Sequence, residues 1–129
     1  MILDFYISAR ELLQQENRLV LMVVIANQGS SPGRKGFKMF VSKNDMLGTI
    51  GGGIMEHKLV EYARTLLEKP NFSPFIKHQI HDKAATKDQS GMICSGQQTV
   101  AFFDLDCHFL QTIDGILADP EAKVTYSNL

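Results

Sequence analysis

Cysteine is scarce in this chain, with Cys94 and Cys107 the two thiols among 129 residues. Two are too few for a disulfide framework or a self-contained zinc site, and in a cytoplasmic setting they stay reduced. Long hydrophobic runs are missing as well. The longest, Leu19–Ala26, falls far short of the ~20 residues that a membrane span requires. Charge of one sign is also lacking: 13 basic against 14 acidic residues leave a formal net charge of −1. That removes the electrostatic reason to expect nucleic acid or an anionic membrane as partner. The opening MILDFYISARELLQQ places Asp4 where a signal peptide would carry basic residues ahead of an apolar run, so it does not read as one. The expectation is a soluble cytoplasmic protein.

What is present suffices for one ordinary core. With 44% hydrophobic and 21% charged residues, the composition fits a single globular domain. Ile2, Phe5, Tyr6, Ala9, Leu12 and Leu13 recur at three- and four-residue steps and predict a helix over 2–16, broken at Asn17-Arg18. LVLMVVIANQ (19–28) is almost wholly apolar and predicts a central strand covered on both faces. Residues 37–42 and 46–50 predict a hairpin around Lys43-Asn44-Asp45. Met55, Leu59, Tyr62 and Leu66 share one stripe of a helix over 54–69 that Pro70 stops. Strands over 73–81 and 97–105, a polar loop over 82–91 and a helix over 108–117 complete the pattern. The tail KVTYSNL begins like a strand. The architecture expected is α/β: a mixed sheet of about five strands with helices packed on it, in a single domain.

Three stretches carry the chemistry. The first in interest is GTIGGGIME (48–56), which places three of the chain's ten glycines side by side where a strand gives way to a helix. Amides at a helix start are orphan donors and suit phosphate or another oxyanion, and glycine lets an anion approach closely. A tight turn explains the same residues, and the pattern is neither the dinucleotide fingerprint nor the P-loop. Glu56 has two readings of its own. It is a first-turn carboxylate that answers free amides, or an acceptor for an N–H-rich ligand such as a pterin or purine edge.

The second stretch is GSSPGRKGFKM (29–39), where Ser30, Ser31, Arg34 and Lys35 could clamp a phosphate or form a solvated turn. Lys38, alternating with Phe37 and Met39, is expected to face away from the core. The third is SGMICSGQQ (90–98), in which Cys94 lies between glycines just before a strand and reads as an accessible thiol. A nucleophilic role would need a base or cation nearby. The histidines at 57, 78, 81 and 108 are available, with 78 and 81 reading as surface residues. Cys107 reads as structural.

In this order the three stretches resemble the N-terminal domain of the XdhC/CoxI family, from about Leu19 to Leu105. Those motifs run Ser-Ser-Pro-Arg-x-x-Gly-x-Lys/Arg-Met, Ile-Gly-Gly-Gly-x-x-Glu and Gly-Met-x-Cys-Gly-Gly. The resemblance implies a chaperone that binds molybdenum cofactor (molybdopterin) as cargo and delivers it to an apo-molybdoenzyme of xanthine dehydrogenase type, after a cysteine desulfurase has supplied the terminal sulfur. It marks Ser30, Ser31, Arg34, Lys35, Gly51, Gly52, Gly53, Glu56, Cys94 and Ser95 as cofactor-binding positions, with Cys94 a possible molybdenum contact. Homo-oligomerisation is a further expectation. Two local departures stand out: Gly33 follows Pro32 where the family has arginine, and Ser95 follows Cys94 where it has glycine. Typical members also continue into a Rossmann-like domain, and the chain is expected to be the N-terminal domain alone. Two other classes stay open, a sulfur-transfer enzyme using Cys94 and an interaction module with no cofactor. All readings that share one site require the three loops to converge at one end of the domain.

Overall fold

Helical spacing of apolar residues is realised three times in the computed structural model, which describes residues 2–29, 31, 33–82 and 95–118. Helix α1 (Ile2–Glu16) buries Tyr6, Ala9, Leu12 and Leu13 on one stripe. It stops at Asn17, whose φ of 68° is left-handed and whose amide donates to the Leu13 carbonyl at 2.8 Å. Asparagine tolerates that conformation where most side chains do not. Helix α2 (Gly53–Leu67) buries Leu59, Val60, Ala63 and Leu66, and α3 (Phe109–Ala118) buries Ile113 and Ile116.

Five strands form the sheet: β1 (Leu19–Gly29), β2 (Lys38–Val41), β3 (Met46–Gly48), β4 (Phe75–Asp82) and β5 (Ser95–Leu105). Their order is β3-β2-β1-β5-β4. The apolar strand expected at the centre is there, with the hairpin beside it. All four pairings are antiparallel, so the sheet has none of the parallel pairing of a mixed one.

Alternation along the strands separates two cores. Val20, Met22, Val24, Met39, Val41, Val100 and Phe102 face α2. Phe75 stacks on Phe102 with ring centroids 4.8 Å apart and planes 3° from parallel. Such a pair contributes about 0.5–1.5 kcal/mol beyond its burial. Leu19, Phe40 and Leu105 pack on the other side with α1 and α3. Covering both faces corrects one expectation. Lys38 does not point away from the core; it shares a face with Phe40 and is half-buried. Alternation cannot tell inside from outside when both sides of a sheet are roofed.

At the end of α2, Arg18 ties the two halves of the fold. Its Nε donates to Asp104 Oδ1 at 2.9 Å, and Nη1 donates to the carbonyls of Leu67 and Lys69. Asp104 Oδ2 in turn accepts the Phe72 amide at 3.0 Å.

Candidate functional site

A β-bulge prepares the site. Val24 pairs with Val100, and the next partnered residue of β1 is Ala26, opposite Thr99. One extra residue, Ile25, is inserted, and a bulge of this kind re-aims the side chains that follow. Asn27 therefore falls opposite Gln98, on the α2 side of the sheet, rather than on the α1 side. Gln79 of β4 pairs with Gln98 from the other flank. Three carboxamides thus stand in a row across β1, β5 and β4, continuing the apolar rows that end at Val24 and Val100.

Gln98 is the hub of that row and is 1% exposed. Its Oε1 accepts the amide of Gly33 at 2.9 Å. Its Nε2 donates to the Ile50 carbonyl and to Gln79 Oε1, each at 3.2 Å. Gln79 Nε2 donates onward to the Met55 carbonyl in the first turn of α2. One buried side chain thereby joins the loop after β1 to the glycine loop before α2. Asn27 adds a further tie, its Oδ1 accepting the Lys35 amide at 2.8 Å.

Gly33 must be glycine for this docking. A Cβ there would lie 2.3 Å from the Ile50 carbonyl oxygen and 2.7 Å from Gln98 Oε1. Ser31, also buried, donates its hydroxyl to the Gly33 carbonyl at 3.0 Å. Arg34 folds back on its own loop, with Nη1 donating to the carbonyls of Ser31 and Gly33.

The glycine triplet has a conformational cause. Gly51, Gly52 and Gly53 have φ values of 127°, 77° and 72°, three successive residues in a region that side chains rarely adopt. At Gly52 and Gly53 an added Cβ would meet nothing within 4 Å, so the ground beside them is open. Glu56 locks the loop. Its Oε1 accepts from the Thr49 hydroxyl at 2.5 Å and from the amides of Ile50 and Gly52 at 2.9 Å each. The Gly51 amide donates to Thr49 Oγ1. Partial burial alone would raise the Glu56 carboxyl, but the bonds from Thr49, Ile50 and Gly52 prevail and hold it below its ordinary value.

The amides of Gly51 and Gly52 are thus used inside the loop. Gly52 gives α2 no side-chain cap. The first-turn amides at the exposed residues Gly53 and Ile54 keep the orphan-donor character of a helix start and so suit an anion.

The XdhC and CoxI family model matches residues 12–73. Over that segment, just under half of its length, the chain is similar to the XdhC and CoxI family. The match spans the first two loops joined by Gln98. A search of curated proteins finds no match. Among solved structures, a chain described as a xanthine dehydrogenase from Bacillus halodurans is similar, with a TM-score of 0.61 and 20% identity. The similarity covers 88% of this chain and 34% of that one, so this chain spans about a third of its length.

Of the positions that XdhC and CoxI motifs mark, Ser31, Gly51, Gly52, Gly53 and Glu56 lie in the two joined loops. Lys35 departs from them: it lines a cavity on the opposite, α1 and α3, face of the sheet. Ser30 and Cys94 lie outside the described residues, as do the polar stretch at 83–91 and the tail KVTYSNL. Ser95 opens β5 opposite Asp82, one residue before Gly96 pairs with Gly29. The family's arginine position is filled by Gly33, which a side chain could not occupy in this packing.

Cys107 is exposed rather than structural. It sits in the turn before α3, where Asp106 Oδ1 accepts the His108 amide at 2.9 Å. That bond and the adjoining imidazole keep Asp106 below the usual carboxylate range. His78 is exposed, with Nδ1 3.1 Å from Thr99 Oγ1.

Gln98, Gln79, Asn27 and Thr49 are absent from the residues marked by motif. The sequence holds a signal for Gln98, because it stands two residues before Val100 and four before Phe102, on the same buried face.

Proposed function

We propose that this chain binds molybdenum cofactor as cargo and hands it to an apo-molybdoenzyme of xanthine dehydrogenase type. It acts as a maturation chaperone and catalyses no reaction of its own. The observation that carries the proposal is the junction at Gln98. Two family-type loops, distant in sequence, are docked on one buried side chain in the strand that the third loop enters. A turn that served only to reverse the chain would not need that link.

The residues present fit such a cargo. The open ground beside Gly52 and Gly53 admits a ligand at backbone distance. The amides of Gly53 and Ile54 suit a phosphate or an oxo group. The second carboxylate oxygen of Glu56 suits the N–H edge of a pterin, its first being engaged within the loop. Arg34, exposed at the rim, offers the rest of its guanidinium to an anion. Cys94 serves as a soft ligand to the metal or its sulfur, and the hydroxyls of Ser30 and Ser95 are further polar groups that the resemblance marks for the cargo. In this reading a cysteine desulfurase acts before delivery, in the cytoplasm.

The test is binding of molybdenum cofactor to the purified protein, beside Gly52→Val and Cys94→Ala. Binding by the wild type that both variants lose supports the proposal. Absence of wild-type binding, at concentrations where a longer family member binds, refutes it. One observation favours a second reading, an interaction module: Glu56 and Thr49 satisfy the loop from within, and Ile54 at its tip is 74% exposed. That reading expects no cofactor binding and loss of a protein partner in Ile54→Asp.

A further inference from the structure

On the face of the sheet away from the glycine loop, α1 and α3 leave a groove of about 550 Å³. Small-molecule sites fall at about 300–1,000 Å³, so the volume is sufficient. Its walls are aromatic and aliphatic, with Tyr6, Phe40, Phe103 and Ile116 among them. Among the described residues, the charged ones lining it are both lysines, Lys35 and Lys38, with no acidic residue beside them.

The two lysines reach the groove by different routes. Lys38 stands in β2 on the same face as Phe40, and Lys35 belongs to the loop docked by Gln98 and Asn27. Lys38 Nζ donates to the Gly36 carbonyl at 3.1 Å, which leaves two of its three protons for another acceptor. Partial burial disfavours its charged form, lowering its pKa, so an anion beside it would recover what desolvation removes.

We infer that this groove is a binding site for an organic anion with an apolar body and a single carboxylate head, the body lying on Phe40 and Phe103 and the head meeting Lys38 and Lys35. Charge complementarity selects this occupant: an uncharged apolar body would leave both ammoniums without a counter-charge, and a cationic one would be repelled. The site is separate from the glycine loop and does not depend on cofactor binding there.

Decanoate is the probe, titrated calorimetrically and by NMR shifts, with decanol and decylammonium as head-group controls. The expected result is saturable 1:1 binding of decanoate, with shifts centred on Phe103 and Ile116. Decanol should bind about tenfold more weakly or worse, the scale of a lost charge-assisted hydrogen bond. Lys38→Met, which keeps an apolar stem, should erase the preference for decanoate over decanol. Ile25→Glu adds a negative charge at a lining position that is already 40% exposed, so it should fold and still exclude decanoate. Equal affinity for decanoate and decanol would overturn the inference, as would shifts centred on Gly52 and Ile54 or no saturable binding. A dimer that Ile25→Glu dissociates, with decanoate excluded, would also overturn it by showing that the groove receives a second copy of the chain.

Discussion

Replacing Gln98 by leucine tests whether one side chain holds the two loops together. The substitution keeps a side chain of similar length in a position that is 1% exposed and removes three hydrogen bonds. The Gly33 amide is buried and would be left without its acceptor, at about 1–3 kcal/mol. Loss of the bonds to Ile50 and Gln79 adds about 0.5–1.5 kcal/mol each, and the apolar replacement returns part of this through burial. The net expectation is a destabilisation of about 2–4 kcal/mol, a large part of the ~5–15 kcal/mol that holds a domain folded. At ordinary urea sensitivities the midpoint falls by about 1–2 M.

Urea unfolding followed by far-UV circular dichroism is the assay, since the chain has no tryptophan to report by fluorescence. Hydrogen exchange at the Gly33 amide gives a local readout, and its protection should fall further than that of β1 amides such as Met22. Gln98→Glu separates the two ends of the side chain. It keeps an acceptor for Gly33 but sets a carboxylate oxygen against the Ile50 carbonyl. Burial raises the new carboxyl's pKa, so the protonated form is favoured in the folded state. The deficit against wild type is therefore smallest at low pH and grows as pH rises through ~4.3, the ordinary glutamate value. A Gln98→Leu protein within about 0.5 kcal/mol of wild type, the range of a neutral surface change, would refute the junction.

Glu56→Gln should cost about 1–2 kcal/mol at neutral pH, as loss of a strong helix-start acceptor does. Because the folded-state pKa of Glu56 is depressed, its contribution is full above the ordinary glutamate range and disappears as pH falls below it, so the wild-type and variant stability curves should converge in acid. Gly33→Ala and Gly52→Ala make the same chemical change with different outcomes, read by thermal unfolding. The first drives a methyl into the Ile50 carbonyl and should cost about 1–3 kcal/mol or more. The second meets open space and carries only a backbone cost of about 1–3 kcal/mol, because φ 77° with ψ −174° is a conformation essentially confined to glycine. Asp104→Ala should lower stability by about 1–3 kcal/mol by stranding Arg18 and the Phe72 amide. It should leave ligand binding at the glycine loop unchanged in a titration of the folded protein.

Much of this fold could be read in advance because its patterns are local. The apolar run of β1 and the stripe of α2 each declare their period within one segment. The site could be read only in part, and the reason is specific. Motif spacing drew attention to Arg34 and Lys35 as anion clamps, but a guanidinium has nearby carbonyls as competing partners, and Arg34 takes those of Ser31 and Gly33. Gln98 drew none, since a glutamine in a polar QQT stretch looks like a strand edge. Its burial depends on the bulge at Ile25, on the register with Asn27 and Gln79, and on a loop that arrives from residues 31–36. The alternation with Val100 and Phe102 gives its face, but none of these partners is encoded within its own neighbourhood. Lys38 was misplaced for a related reason: its face was legible, but not the roof above that face.

The loop after β1 accordingly contributes to two faces of the sheet. Gly33 is fixed to the glycine loop through Gln98, while Lys35, held by its backbone to Asn27, lines the groove under α1 and α3. The two functions are separable at the side chains and coupled at the backbone. Lys35→Ala removes a charge from the groove and leaves the Asn27 bond to its amide in place, so it should not disturb the glycine loop. Asn27→Ala removes the tie itself and should loosen both sites together. A stretch that reads as one anion-binding signature thus divides its two cations between two faces: Arg34 stays with its own loop, and Lys35 lines the opposite face.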